Sequence, residues 1–191
     1  AKALLQFASD SDVNADVQRK ALIEIAKAPE KIAFPLLEYL IKVDISNPKI
    51  QESLYELILD KAFGNTDLVI KYISENEKKA RILFLKAAGE LLLSETAPAL
   101  KRIIDEDKEN DCRGAAIAAL GNLRLPDALP VLGNIANHSE PEVKKAAIFG
   151  IAEMGNNDSV DQLLGFIGED EEISTFAVEA LAEIQDLYAL D

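Results

Sequence analysis

Apolar residues recur along this chain at helical spacing, in short runs that turns interrupt. "DCRGAAIAALGNLRLPDALPVL" (residues 111–132) predicts a helix over 111–123, a break at Leu125, Pro126 and Asp127, and a second helix beyond it. "EVKKAAIFGIAEMGNNDSVDQLL" (residues 142–164) repeats that phrase about thirty residues later, which marks a repeat array. One apolar residue near the start of each first helix serves as an anchor: Val17, Ile50, Ala80, Cys112, Val143 and Ile173. Four positions on stand Ala21, Leu54, Phe84, Ala116, Ala147 and Ala177; five on, Leu22, Tyr55, Leu85, Ile117, Ile148 and Val178; eight on, Ile25, Ile58, Ala88, Leu120, Ile151 and Leu181. All 24 are apolar in a chain that is 49% hydrophobic, and those offsets define one helix face.

Nine positions after the anchor the residues are mostly small: Ala26, Leu59, Gly89, Gly121, Ala152 and Ala182. Glycine inside a helix costs up to about 1 kcal/mol relative to Ala, so a close approach of neighbouring helices is the natural reason for it. The second helices carry apolar pairs at i, i+3: Leu37 and Leu40, Ile70 and Ile73, Leu100 and Ile103, Leu132 and Ile135, Leu163 and Phe166. Pro35, Pro98 and Pro130 read as first-turn prolines. Thr66, Thr96, Asp127 and Asp158 stand where N-caps are expected, and Gly64 and Gly155 where helices end. No segment alternates with period two. The expected fold is an all-α, right-handed α-solenoid of about six helical hairpins and twelve short helices. "AKALLQFASD" fits a second helix, with Leu4 and Phe7 at the places of Leu100 and Ile103, and the C-terminal stretch fits a first helix. The chain is therefore read as one repeat domain, 1–191, that starts and ends mid-repeat, as a fragment of a longer chain would.

The two quoted hairpins resemble the HEAT-like repeats of the short bacterial type found in phycobilisome lyases and scaffold proteins. The resemblance extends, less clearly, over nearly the whole chain and is weakest around residues 45–85. It implies the HEAT/armadillo-like architecture and a binding function, because a helical-hairpin array presents an extended face to partners. Family repeats often place Arg after the anchor; here that column reads Gln18, Gln51, Arg81, Arg113, Lys144 and Ser174, so only the middle repeats follow the pattern.

Composition narrows the chemistry. No apolar run approaches the roughly 20 residues of a membrane span, and no secretory leader is visible. One cysteine, Cys112, forbids an internal disulfide; it reads as a buried, inert thiol, and the default compartment is cytoplasmic. The formal charge of −14 opposes nucleic-acid binding. An enzyme resembling deoxyhypusine hydroxylase needs several His-Glu pairs for two irons, and this chain has one histidine, His138, read as an exposed loop residue. Absence of Trp and the acidic balance oppose the DNA-glycosylase type. Asp105 to Asp107 and Glu169 to Glu172 lack the spaced ligands and Gly of an EF-hand. No catalytic, cofactor or metal site is expected. A phycobilin-lyase-like, chromophore-handling subunit is the alternative reading.

What remains is a module that holds another protein, or another domain of the same chain. One column on the second helices, Gln6, Tyr39, Tyr72, Arg102, Asn134 and Gly165, precedes the apolar position and is expected to lie partly exposed. Tyr39, Tyr72 and Arg102 are residue types that anchor interfaces, with Asn134 in the same row. The alternative is that they pack between hairpins. The acidic stretch Glu169, Asp170, Glu171 and Glu172, in a C-terminal region with no base after Lys145, is the second candidate surface, and it suits a partner with a basic surface.

Overall fold

A computed structural model describes residues 2–43, 45–74, 77–138, 140–168 and 171–188, without the side chains of 138 and 185–188. These residues form twelve α-helices and one 3-10 turn, with no strand among them. The helices are α1 (Lys2–Ser9), α2 (Ala15–Lys27), α3 (Glu30–Lys42), α4 (Pro48–Ala62), α5 (Thr66–Ser74), α6 (Lys78–Glu90), α7 (Ala97–Glu106), α8 (Asn110–Asn122), α9 (Ala128–His138), α10 (Pro141–Met154), α11 (Asn157–Gly165) and α12 (Glu171–Tyr188). The 3-10 turn, Ser94–Thr96, precedes α7.

The chain divides into two compact units, Ala1–Ala87 and Ala88–Asp191. In the first, α2 packs on α1, α3 and α4, and α4 on α3 and α5. In the second, α8 packs on α7, α9 and α10, and α10 in turn on α9, α11 and α12. First helices thus stack on first helices, with a second helix against each pair. The anchor face makes the core: Cys112, Ala116, Ile117 and Leu120 of α8 and Val143, Ala147, Ile148 and Ile151 of α10 are all buried. The position seven after the anchor joins them, as Leu57, Ala87, Ala119, Gly150 and Ala180. In α2 the face is turned: Val17 is 42% exposed, and Gln18 beside it is buried.

That Gln18 explains the column after the anchor. Its side-chain amide donates to the Asp10 carbonyl (2.8 Å), just past α1, and Gln51 donates to the Ile45 carbonyl, past α3. Arg81 Nε donates to Ile73 and Arg113 Nε to Ile104, near the ends of α5 and α7 (3.3 and 3.0 Å). Gln and Arg here do one job: they satisfy carbonyls at or just past the end of the preceding second helix, where the helical ladder no longer supplies a donor.

Three local expectations are corrected. Four side-chain caps are asparagines: Asn14, Asn47, Asn65 and Asn156 accept from backbone N–H groups in the first turns of α2, α4, α5 and α11. Asn156 and Ser159 form a capping box, so Asp158 lies inside the helix, as Thr66 does in α5. Thr96 precedes α7 without a side-chain cap; its hydroxyl donates instead to Leu93 O (2.7 Å). Pro35 lies inside α3, because that helix begins at Glu30.

The hairpin turns of α6, α8 and α10 put the residue twelve after the anchor at positive φ: Leu92 (52°), Arg124 (50°) and Gly155 (58°). A left-handed backbone costs a side-chain-bearing residue about 1–2 kcal/mol, and glycine nothing comparable. Leu92 is exposed, so Leu92→Gly loses little packing. It is expected to raise unfolding free energy by about 0.5–1 kcal/mol after the extra entropy of glycine in the unfolded chain is subtracted. A thermal or urea midpoint that falls on this substitution would contradict the strain.

A candidate partner-binding face

The two tyrosines of the sequence row have different fates. Tyr72 in α5 is 1% exposed. Its ring stacks on Phe84 of α6 (centroids 4.3 Å apart, planes 8°), and its hydroxyl donates to Glu38 Oε1 of α3 at 2.7 Å. A tyrosine whose polar tip is satisfied can be buried like phenylalanine. Tyr72 is a packing residue, and its expected exposure is corrected. Lys71 adds charge outside, 3.7 Å from Glu38 and 5.1 Å from the Tyr72 ring. A cavity of about 170 Å³ lies beside it, bounded by Ile41, Lys42, Ala80 and two carboxylates, Glu38 and Glu77. Both are engaged by their own chain: Glu38 by Tyr72, and Glu77 by the N–H of Ala80 (2.6 Å) at the start of α6.

Tyr39 is 50% exposed, and α3 explains why. Ala33, Leu36, Leu37, Leu40 and Ile41 fill its buried face. Ile32, Pro35 and Tyr39, at i, i+3 and i+7, share the opposite side and are all exposed, Ile32 at 46%. A helix that buries five apolar residues and still shows three on one stripe has more apolar surface than its own unit covers. Pro35 has no N–H, so the turn it occupies lacks one intrahelical hydrogen bond. The sequence row held Tyr39 but missed Ile32 and Pro35; their i, i+3, i+7 spacing was the available signal. Phe7 of α1, expected at a core position, is also exposed.

In the second unit Arg102 of α7 and Asn134 of α9 are exposed, as is Gly165 of α11. Glu171 and Glu172 open α12 and are exposed, where the positive end of the helix dipole favours carboxylates. Glu169 and Asp170 lie outside the described residues. The charge is partitioned: residues 1–87 hold 13 basic and 13 acidic side chains, residues 88–191 hold 7 and 21. Of those few bases, Arg113 and Arg124 donate to backbone carbonyls, and Lys101 pairs with Asp127, whose carboxyl it holds below the usual range by hydrogen bond and charge. Lys145, the last base, sits over the rings of Phe176 and Phe149 (4.5 and 5.8 Å).

Among the described residues no group of three or more His, Cys, Asp and Glu is placed to hold a metal, and no helix is long and apolar enough to cross a membrane. Cys112 is buried at its anchor position.

Helical hairpins stacked first helix on first helix define the α-solenoid class, and comparison with known proteins agrees. The family model for HEAT repeats matches residues 66–140 and 130–191, more than half of the chain. The chain belongs to the HEAT-repeat family. The matching model describes HEAT repeats as such, and not the phycobilisome-lyase subgroup. Among solved structures the chain is similar to a designed armadillo repeat protein, 16% identical over 95% of this chain and 98% of that one, with a TM-score of 0.50; this shows the fold. A second designed armadillo repeat protein, in complex with the peptide (KR)4, is also 16% identical over 95% and 98%, with a TM-score of 0.49. No curated protein matches the chain.

Proposed function

We propose that this protein is a binding module for another polypeptide, or for another domain of its own chain, with no chemistry of its own. The observation that carries the reading is the exposed Ile32–Pro35–Tyr39 stripe on α3, on a second helix, the layer that helical-hairpin arrays commonly turn toward partners. An aromatic ring beside an aliphatic residue on a rigid helix is the composition of an interface anchor. Arg102 and Asn134 supply exposed polar groups on second helices of the other unit, and its acidic surface, Glu171 and Glu172 included, favours a partner with basic character.

The test is affinity capture from the native host followed by reconstitution with the purified partner. The double substitution Ile32→Ser, Tyr39→Ala is expected to weaken binding at least tenfold, about 1.4 kcal/mol, while the helical spectrum and melting midpoint stay close to wild type. Association with a basic partner is expected to slow between about 50 and 300 mM salt, as the Debye length falls below ~10 Å. A partner bound stoichiometrically with equal affinity by wild type and double variant would show that α3 is not the contact.

A further inference from the structure

Within the second unit the first helices approach one another more closely than α2 and α4 do within the first. In the second unit the residue nine after one anchor meets the residue seven after the next. A methyl added to Gly89 would lie 2.9 Å from the Ala119 Cα, and one added to Gly121 would lie 2.8 Å from the Gly150 Cα and collide with the Gly150 carbonyl oxygen. Backbones touch there. At the same offsets in the first unit stand Ala26 and Leu57. A leucine at that place keeps α2 and α4 from closing, and a groove runs between them, with Ala26 and Leu57 both in its wall.

One end of the groove, about 170 Å³, is apolar, with buried Leu22 and Leu57 as its floor and Ile23 at its lip, 45% exposed. The other end, about 380 Å³, is polar, with Asp16, Lys49 and Glu52. Arg19 of α2 and Glu56 of α4 line both ends from opposite walls. Among the described residues neither side chain makes a hydrogen bond or an ion pair, whereas the nearby Asp60 lies 3.3 Å from Lys61. The polar end carries both signs on each wall, but over the apolar floor Arg19 and Glu56 stand on opposite walls without pairing, and beyond them Lys61 of α4 donates to the Ala26 carbonyl of α2. From Ala15 to Ala26 the groove follows about three helical turns, ~16 Å. Its apolar end is close to the ~150 Å³ that holds one benzene ring, the size of a single Leu or Phe side chain.

We infer that this groove binds one amphipathic helix of another polypeptide, about three turns long. The helix seats a Leu or Phe between Ile23 and Leu57, turns a Lys or Arg toward Glu56, and turns an Asp or Glu toward Arg19. The site lies on α2 and α4 and shares no residue with the α3 stripe, so it stands or falls separately from the function proposed above.

The probe is a stapled helical peptide of about fourteen residues with a Leu stripe, Lys along one flank and Glu along the other. It is titrated into the full chain carrying 13C-labelled Ile and Leu methyl groups. Saturable shifts are expected at Ile23, Leu22 and Leu57. Ile23→Glu, at an exposed position, is expected to raise Kd at least tenfold with an unchanged helical spectrum. Glu56→Lys is expected to weaken the same peptide several-fold, and a peptide whose Lys flank is changed to Glu to recover the loss on that variant alone. Ile32→Ser with Tyr39→Ala is expected to leave the affinity unchanged. Shifts centred elsewhere, absence of saturation up to millimolar peptide, or indifference to Ile23→Glu would each overturn the proposal.

Discussion

Leu120→Ala is expected to cost about 2–5 kcal/mol, the range for a fully buried leucine cut back to Ala. Leu120 has no exposed surface, and its helix is held by α7, α9 and α10, so neighbours on several sides resist collapse into the vacated space. Leu181, at the same offset in α12, is only partly buried, and α12 packs chiefly on α10 and α11. Leu181→Ala is expected to cost less than half as much. Both residues lie in one compact unit, so urea midpoints and m-values compare them on one transition. Equal midpoint shifts would refute the view that an interior hairpin depends on both neighbours and α12 on fewer.

Two glycines in α8 should respond oppositely to the same substitution. A methyl on Gly121 runs into the backbone of α10 at Gly150, which no side-chain rotation relieves. Gly121→Ala forces the two helices apart and is expected to cost about 3 kcal/mol, the upper part of the overpacking range, despite the better helix propensity of Ala. A methyl on Gly114 meets only the Ala146 Cβ, at 3.9 Å, an ordinary contact. Gly114→Ala is expected to stabilise by about 0.5–1 kcal/mol. Calorimetry or urea unfolding of the pair reads the sign directly; a destabilised Gly114→Ala or a neutral Gly121→Ala would show that helix spacing is not set by the glycine column.

That column was legible in the sequence because close packing excludes side chains, and exclusion leaves a visible mark. The anchor face was legible for the same reason: burial on a helix repeats at fixed offsets. What failed depended on rotation or on neighbours outside the pattern. Val17 holds its place in the repeat, but α2 packs against the short α1 and turns Gln18 inward instead. Tyr72 was assigned the exposure of its column. In the nine-residue α5, however, Leu68, Val69, Tyr72 and Ile73 are all buried. The partner that makes its burial tolerable, Glu38, stands 34 residues earlier, about one repeat away, and that spacing was the clue available. Two of the four expected caps, Thr66 and Asp158, were misplaced by one and two residues, because Asn, Thr and Asp all suit turns and only the backbone entering the helix decides which one accepts from it, whereas Thr96 and Asp127 do stand directly before α7 and α9.

Of the candidate binding row, the sequence correctly placed Tyr39, Arg102 and Asn134 at the surface. The spacing of Ile32, Pro35 and Tyr39 was visible, but reading Pro35 as a first-turn proline put Ile32 ahead of α3, which in fact begins at Glu30. The departure of Gln18 and Gln51 from the family Arg looked like loss of a feature. In three dimensions each makes the same carbonyl contact as Arg81 and Arg113, because what the site requires is an N–H at the right reach and not a charge.

The matched offsets between neighbouring first helices also bear on how such an array can change over generations. Gly121 lets the backbone of α10 close on it because it carries no side chain, while Ala26 tolerates Leu57 at the expense of an open seam. A hairpin is therefore not an interchangeable cassette. If recombination placed the α4 hairpin after α8, Leu57 would arrive in the place of Gly150, where even a Cβ meets Ile117 at 3.3 Å and Leu132 at 3.5 Å, and the two helices would stand off. Duplication of a hairpin in place is equally constrained, since each copy must fit the successor of the other as well as its own. The order of hairpins is written into these steric pairs, and repeat number can drift only by steps that keep each pair matched.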